Sequence, residues 1–168
     1  MLRDGARLAD VAARSYVHPN GFAKVVMHVG GGYGIRLHVW RREHRTRADD
    51  ANPHGHRGEF ASWVVAGTLH ETTFIEASDS ERYDRSNYGR HVNGMPYLHV
   101  AGTASLRRLE EIDRVAGTVY ARSRSLLHTA APIGQDLVAS LVLQRPPSPE
   151  PTAVYQRPDK PQLDHLVQ

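Results

Sequence analysis

Two histidines, His54 and His56, lie one residue apart in the segment "NPHGHRGEFASWVVAG", just before an apolar run. In an extended strand, residues i and i+2 share a face and lie about 6.6 Å apart along the chain, so both imidazoles can converge on one ion. Neutral imidazole is a good ligand for Fe, Cu, Ni and Zn. Two exposed histidines at a strand end would have the same spacing, so the pair alone leaves both interpretations open.

A second pattern with chemical potential is the alternating run "YGIRLHVW". Arg36, His38 and Trp40 share one face of this predicted strand, and apolar side chains occupy the other. If the first face lines a pocket, it offers a cation for a carboxylate, a proton donor and an aromatic wall. If the apolar face is the core, the same three residues face solvent. Lys24, in the preceding apolar run, is a further candidate for binding an anion.

The composition limits which residues could bind a metal and which kinds of partner the protein could have. The 168 residues contain no cysteine, so a metal must be held by His, Asp or Glu. No apolar stretch approaches the roughly 20 residues of a membrane helix, and the first residues lack the apolar core of a signal peptide. We therefore expect a cytoplasmic protein without a membrane partner. The net charge is +3, but the arginines are scattered between acidic residues, which argues against nucleic acid as a partner.

The pattern along the chain predicts mainly strands. "RDGARLADVAARS" favours a short N-terminal helix, and about nine or ten short strands separated by turns favour an all-β sandwich or barrel. We expect a helix and turn over residues 1–20, one β-barrel domain over 21–147 and a proline-rich tail over 148–168. The polar segment 78–96 is compatible with a lid, a disordered connection or an interface hairpin.

Two longer stretches resemble the paired motifs of the cupin superfamily. "PHGHRGEFASWVVAGTL" resembles the first motif, and "SRSLLHTAAPIGQDLVASLVLQRP" resembles the second. Within the superfamily, "GTLHET", the later "LH", "SLVL" and Pro146-Pro147 are similar to the cysteine-dioxygenase group of thiol dioxygenases. The resemblance covers most of the chain, from about Phe22 to Pro147. It implies a single-domain cupin, which is a double-stranded β-helix or jelly-roll barrel.

The resemblance also implies a metal site. His54, His56 and His128 match the three iron ligands of the family, and Ser140 matches a serine near its catalytic network. Phe60 stands where many cupins have a glutamate ligand, and the adjacent Glu59 would reach the ion only through a bulge. Three neutral ligands leave the 2+ charge uncompensated and one face of the ion open to an anionic substrate and O2.

Several positions depart from the thiol dioxygenase pattern. Val142 and Gln144 stand where the family has a histidine and a tyrosine, and no arginine matches its carboxylate clamp cleanly. Lys24 and Arg36 are the nearest cations, and we expect one of them to hold the substrate. His70 and Tyr120 are expected to be a surface or supporting histidine and a core tyrosine.

The leading functional hypothesis is a mononuclear non-haem Fe(II) oxygenase that uses O2 and a small anionic substrate. The alternatives are an isomerase or lyase that uses Zn, Ni or Mn, in which the ion acts on bound water or substrate, and a cupin that binds a small molecule without catalysis. A homodimer is a further partner that the sequence leaves open.

Overall fold

The computed structural model describes residues 4–18, 20–44, 51–93, 95–134 and 137–160. It contains one helix, a short 3-10 turn and ten strands. The bounds are α1 Gly5–Arg14, β1 Tyr16–His18, β2 Phe22–Gly30, β3 Tyr33–Trp40, the turn Arg42–His44, β4 Phe60–Ala66, β5 Thr68–Arg90, β6 Pro96–Val115, β7 Val119–Arg122, β8 Leu127–Pro132, β9 Val138–Gln144 and β10 Thr152–Gln156. The predicted all-β fold with a short N-terminal helix is confirmed.

The helix begins where the sequence provides a cap. The Asp4 carboxylate accepts hydrogen bonds from the backbone N–H groups of Ala6 and Arg7, at 3.1 and 3.4 Å, which satisfies two of the donors that a helix start leaves unpaired. After the helix, the Ser15 hydroxyl accepts a bond from the Val26 N–H at 3.1 Å and ties this end to β2. In the described ranges no helix has the length and hydropathy to span a bilayer.

Two antiparallel sheets form the barrel. One has six strands in the order β1-β2-β3-β9-β4-β7, and the other has the order β10-β5-β6, with β8 also paired to β5. Their inner faces meet in a core where Leu69 of β5 packs against buried side chains of the larger sheet, namely Phe22, Trp40, Val64 and Val138. This is the small double-stranded β-helix barrel that the sequence predicted.

The strand register decides which face of β3 is inside. Lys24 lies opposite His38, His38 opposite Ser140, and Ser140 opposite Val64. Directly opposed residues point to the same side of a sheet, and Val64 is fully buried. Arg36, His38 and Trp40 therefore face the barrel interior. The alternative in which their face is turned to solvent is wrong.

The polar segment 78–96 is largely strand. β5 and β6 form one long hairpin, closed by a hydrogen bond from the His91 N–H to the Met95 carbonyl at 2.8 Å. The hairpin register shifts between Glu76 and Glu81, and such irregularities bend a ribbon. The described part of this segment is therefore a hairpin and not a disordered connection, while a role of the hairpin as an interface stays a prediction.

The proline-rich segment after β9 supplies β10. This strand pairs with the distal half of β5, from Thr152 opposite Tyr88 to Gln156 opposite Asp84. Residues 161–168 of the predicted tail lie outside the described residues.

Candidate metal centre

His54 lies in an extended segment between β3 and β4, and two strands hold it in place. Its N–H and C=O groups exchange hydrogen bonds with the backbone of His128 on β8, both at 3.0 Å. On its other edge it forms a β-bridge with Val154 of β10. This pairing places His54 directly opposite His128, so the segment that carries His54 and His56 meets the strand that carries the third predicted ligand.

The imidazole rings of His54, His56 and His128 form one group. Their ring centroids are 4.9, 5.3 and 4.9 Å apart, and one ligand atom from each lies within 4.8 Å of the others. The Nε2 atoms of His56 and His128 are 2.8 Å apart. Two nitrogens bound to one ion at about 2.1 Å would be about 3.0–3.4 Å apart, so small ring movements would accommodate a single ion.

The hydrogen bonds of His54 and His128 point their Nε2 lone pairs into this group. His54 Nδ1 lies 2.9 Å from the Asn52 carbonyl oxygen, and His128 Nδ1 lies 2.7 Å from Glu71 Oε1. Both oxygens can only accept, so each Nδ1 donates a proton and each Nε2 is left with a lone pair. The same arrangement fixes ring orientation in metal sites. The donor set therefore fits a divalent transition metal.

Burial keeps these rings in the neutral form that a metal requires. Burial, followed by the nearby His128, lowers the pKa of His54 to about 4, with the Asn52 carbonyl raising it and Lys24 lowering it to a lesser extent. Burial, followed by the other two histidines, lowers the pKa of His56 well below its ordinary value. At neutral pH a metal ion would not compete with protons on either ring.

Glu71 supports the group from β5 and was missed in the sequence. Its side chain is 1% exposed. Its carboxylate accepts hydrogen bonds from Arg114 Nε at 2.6 Å and from Arg122 Nη2 and Nε at 2.6 and 2.9 Å, besides the bond to His128. Burial by itself raises the pKa of Glu71, but the bonds from His128 and Arg122 outweigh it and hold that pKa far below its usual range. The carboxylate is therefore ionised.

Tyr120 holds the two arginines of this network. The Arg114 guanidinium lies 4.1 Å from the centroid of its ring and the Arg122 guanidinium 5.2 Å, which is within the range of cation–π attraction. Tyr120 also packs against the hydrophobic core. The predicted core tyrosine is thus also a support for the residues that hold Glu71.

Phe60 and Glu59 occupy the positions where a carboxylate ligand could lie. The ring of buried Phe60 lies 4.6 Å from that of His56 and 6.0 Å from that of His128, so it forms an apolar wall of the site. Glu59 is exposed and pairs with Arg145 at 3.0 Å. In this arrangement, Glu59 does not join the three histidines.

The structure places the other predicted site residues in the barrel interior beside the histidines. Burial, followed by Arg36 and Arg90, lowers the pKa of Lys24 to about 7. Burial also lowers the pKa of His38 well below its ordinary value. Arg36 Nε and His38 Nε2 are buried and have no hydrogen-bond partner among the residues that the structure describes. Ser140, 2% exposed, lies next to His38 in the same row.

His70 lies apart from this group. Its Nδ1 pairs with Asp113 on β6 at 2.7 Å, and its Nε2 lies 3.5 Å from the Thr72 hydroxyl. Because its neighbour Glu71 points to the metal centre, strand alternation turns His70 to the opposite face. His70 is thus a supporting surface residue in this structure.

Comparison with known proteins gives similarities of fold only. No protein-family model matches the chain, and no curated protein matches it. A cupin domain from Schizosaccharomyces pombe is 7% identical, with a TM-score of 0.41, over 74% of this chain and 60% of that one. A Klebsiella pneumoniae protein with a double-stranded β-helix domain is 10% identical, with a TM-score of 0.46, over 88% and 95% of the two chains. A hydroquinone 1,2-dioxygenase from Sphingomonas is 10% identical, with a TM-score of 0.46, over 83% and 72%.

This chain spans less than two thirds of the length of the Schizosaccharomyces pombe chain. At these identities and TM-scores, a function for this protein has to be argued from the residues of its own site.

Proposed function

We propose that this protein is a metal-dependent cupin enzyme, a mononuclear non-haem Fe(II) oxygenase that acts on a small anionic substrate with O2. The observation that carries the proposal is the convergence of His54, His56 and His128, two of which have their Nδ1 protons committed to oxygen acceptors. An all-histidine set without a carboxylate favours a substrate that brings its own negative charge. The motif resemblance to thiol dioxygenases supports the choice of iron.

When bound, the ion would supply Lewis acidity and the redox chemistry of O2. The protein's own groups orient and shield the site. Glu71 holds the proton on His128 Nδ1 and keeps that ring in one orientation. Phe60 excludes water from one side, which strengthens electrostatic interactions in the site.

Lys24 and Arg36 are the groups that we propose for binding the substrate anion. Both lie on the inner face of the larger sheet, and Lys24 lies close enough to His54 and His56 to lower the pKa of each. Val142 and Gln144 replace two groups of the thiol dioxygenase network, and both are buried in the same interior. A substrate other than cysteine therefore fits this pocket better.

Metal analysis combined with oxygen uptake tests the proposal. Protein purified without added metal should contain iron and should consume O2 with members of a panel of small thiols, amino acids and hydroxy acids. Iron content and oxygen uptake should both be lost in His128→Ala and retained in His70→Ala, the matched histidine outside the site.

Two results would contradict the proposal in different ways. Bound Zn, Ni or Mn without oxygen uptake would favour the isomerase or lyase, for which an all-nitrogen site is equally suitable. The absence of any bound metal in the unsubstituted protein would leave a non-catalytic binding cupin.

A further inference from the structure

The barrel interior beside the candidate metal centre contains a group of basic side chains. We call it the cationic pocket and define it by Lys24, Arg36 and His38. Lys24 lies opposite His38, and Arg36 is two residues before His38 on the same strand, so Lys24 and Arg36 are diagonal neighbours on one face. Side chains in this relation are within reach of one ligand, since their backbone positions are about 7–8 Å apart.

Nothing in the described part of the chain neutralises these two cations. Neither Lys24 nor Arg36 forms an ion pair there, and Arg36 Nε is buried without an acceptor. The Lys24 ammonium instead lies 5.3 Å from the centroid of the Tyr16 ring. Burying unpaired charge is costly, which is why burial, followed by Arg36 and Arg90, lowers the pKa of Lys24 to about 7. A ligand of opposite charge would restore the protonated form of Lys24.

Two other arginines of the barrel differ from Arg36 in having a carboxylate partner. Arg114 and Arg122 are also largely buried, and both bind the Glu71 carboxylate at 2.6 Å. This protein therefore provides a counter-ion where an arginine has a structural role. Burial instead lowers the pKa of Arg36, Tyr16 and Tyr88 raise it, and a further cation, Arg90, lowers it.

We infer that the cationic pocket binds a part of the substrate that carries two negative charges, either two carboxylates or one tetrahedral dianion. The inference rests on the proposed function, because Lys24 and Arg36 share the inner sheet face and Lys24 lies near the proposed ligands His54 and His56. A single carboxylate would be satisfied by one guanidinium, whose two N–H groups match it. The ammonium of Lys24 would then remain without a charge partner. A second negative charge gives each cation its own partner.

The position of the C-terminal part of β5 supports this inference. Tyr88 and Arg90 lie at the C-terminal end of β5. After burial, which is the largest cause, one or both of them also affect the pKa of Tyr16, Lys24 and Arg36. Thr152 pairs with Tyr88, while Val154, two residues on, pairs with His54. The C-terminal part of β5 is thus connected through β10 to the segment that carries His54.

Calorimetric titration of the full chain with sulfate, malonate and acetate tests the inference. The protein is used as purified and again after metal removal, in a buffer without competing anions. We expect sulfate or malonate to bind about tenfold tighter than acetate in both forms, a difference equivalent to about 1.4 kcal/mol. Tighter binding of sulfate would identify a tetrahedral dianion, and tighter binding of malonate a pair of carboxylates.

Two variants should each weaken dianion binding by at least about tenfold, Lys24→Gln and Arg36→Gln. The matched control is Arg41→Gln, which removes an exposed arginine paired with Glu43 just after β3. If Lys24→Gln does not fold, Lys24→Arg keeps the charge and should retain the preference for dianions.

The inference is overturned if acetate binds as tightly as both dianions, if Arg41→Gln weakens binding as much as Arg36→Gln, or if binding disappears with the metal. None of these results changes the iron content or oxygen uptake of the unsubstituted protein. Failure of the anion pocket and failure of the proposed oxygenase are therefore distinguishable.

Discussion

The proton on His128 Nδ1 determines how this ring is oriented in the candidate metal centre. His128 has two ring nitrogens, and the Glu71 carboxylate, 2.7 Å from Nδ1, assigns the proton to that nitrogen. Nε2 is thereby left as a lone pair directed at the group of three histidines. The two arginines on the other side of Glu71 keep its carboxylate ionised and in place. The Glu71 carboxylate, and the two arginines that bind it, therefore determine which nitrogen of His128 carries the proton and how the ring is oriented.

Replacing Glu71 with Gln should weaken metal binding by about tenfold to a hundredfold, since partners of ligating histidines typically have effects of this size. The amide keeps an acceptor for His128 Nδ1 but loses the charge that holds both arginines. The measurement is the metal dissociation constant, obtained by competition with a chelator. Glu59→Gln, which removes an equivalent exposed carboxylate paired with Arg145, should leave the constant unchanged.

A merely structural role of Glu71 would give a different result. The melting temperature of Glu71→Gln would fall, while the metal dissociation constant of the folded fraction would match that of the Glu59→Gln control.

Substitution of a ligand should have the largest effect of any single change. His54→Ala should abolish metal binding, because the two remaining histidines cannot complete the site, whereas His70→Ala should bind metal normally. Metal content per chain is the measurement. Equal losses in both variants would show that the site includes the opposite face of β5.

At the level of elements, the segment that carries His54 and His56 belongs to no strand of the barrel. It is held by neighbours on both edges. The Gly55 N–H donates to the Ala153 carbonyl at 3.0 Å, and the His56 N–H donates to the Arg124 carbonyl at 3.0 Å. The ligand spacing is therefore fixed by β8, by β10 and by the turn before β8, rather than by the intrinsic preference of the segment for an extended conformation.

Gly55→Ala should disturb this segment. A Cβ at position 55 would lie 2.7 Å from Thr152 Oγ1 and 3.1 Å from the Arg124 carbonyl oxygen, closer than carbon and oxygen normally approach. The segment must then shift, and we expect metal affinity to fall by about tenfold, as when a residue supporting the ligands is lost. Chelator competition measures the change.

The double variant Gly55→Ala with Thr152→Ala provides the control for this prediction. Removing the Thr152 hydroxyl eliminates the closer contact, so part of the affinity should return. No recovery would assign the effect to the Arg124 carbonyl or to the backbone alone.

The elements also show where reasoning from the sequence succeeds. The period-2 pattern predicted that His54 and His56 share a face, and the motif resemblance added His128. Each of these two signals is carried by residues that are close together in the sequence. Glu71 was missed because its partners Arg114 and Arg122 lie on other strands, 43 and 51 residues away. One local signal was present. A glutamate that shares its strand face with Leu69 and Thr73 occupies a position turned toward the core.

The orientation of β3 was similarly undecided in the sequence. Both of its faces carry large side chains, so alternation alone predicts a strand but not its inner face. Pairing with β9 shows which face of β3 points inward, because His38 and Arg36 lie opposite Ser140 and Val142, which are buried. For segment 78–96 the sequence left a hairpin as one of three alternatives, because its polar composition is that of a loop and only pairing between β5 and β6 makes it a ribbon.

At the scale of the whole molecule, the barrel interior is unusually basic. Besides the three candidate ligands, it holds Lys24 and His38, while His18 stacks on Phe22 with ring centroids 4.6 Å apart. Burial, followed by Lys24, lowers the pKa of His18 to about 3. The fold therefore holds several bases in neutral form that would gain protons readily in an unfolded chain.

Acid should consequently destabilise the metal-free protein. Between an unfolded pKa of about 6.5 and a folded pKa of about 3, the unfolded chain binds a proton at His18 that the folded state does not. The free energy of unfolding then falls as the pH falls through this window, by up to about 1.4 kcal/mol per pH unit for each such histidine. Denaturant titrations at a series of pH values measure the slope.

His18→Asn is the matched variant. It keeps an acceptor for the Asn20 N–H, which lies 3.2 Å from His18 Nδ1, but removes one titrating group. The slope between pH 6 and 4 should decrease by about one proton. An unchanged slope would mean that His18 is protonated in the folded protein as well.

His54 is held by β-bridges on both of its edges, and this has a consequence for the order in which the protein matures. During translation, His54 leaves the ribosome well before His128 and Val154, the two residues that bridge it on either side. A nascent chain that has reached only β7 therefore presents two histidines on an unsupported segment. Loading with metal should accordingly be a late event, occurring after β10 has joined the sheet.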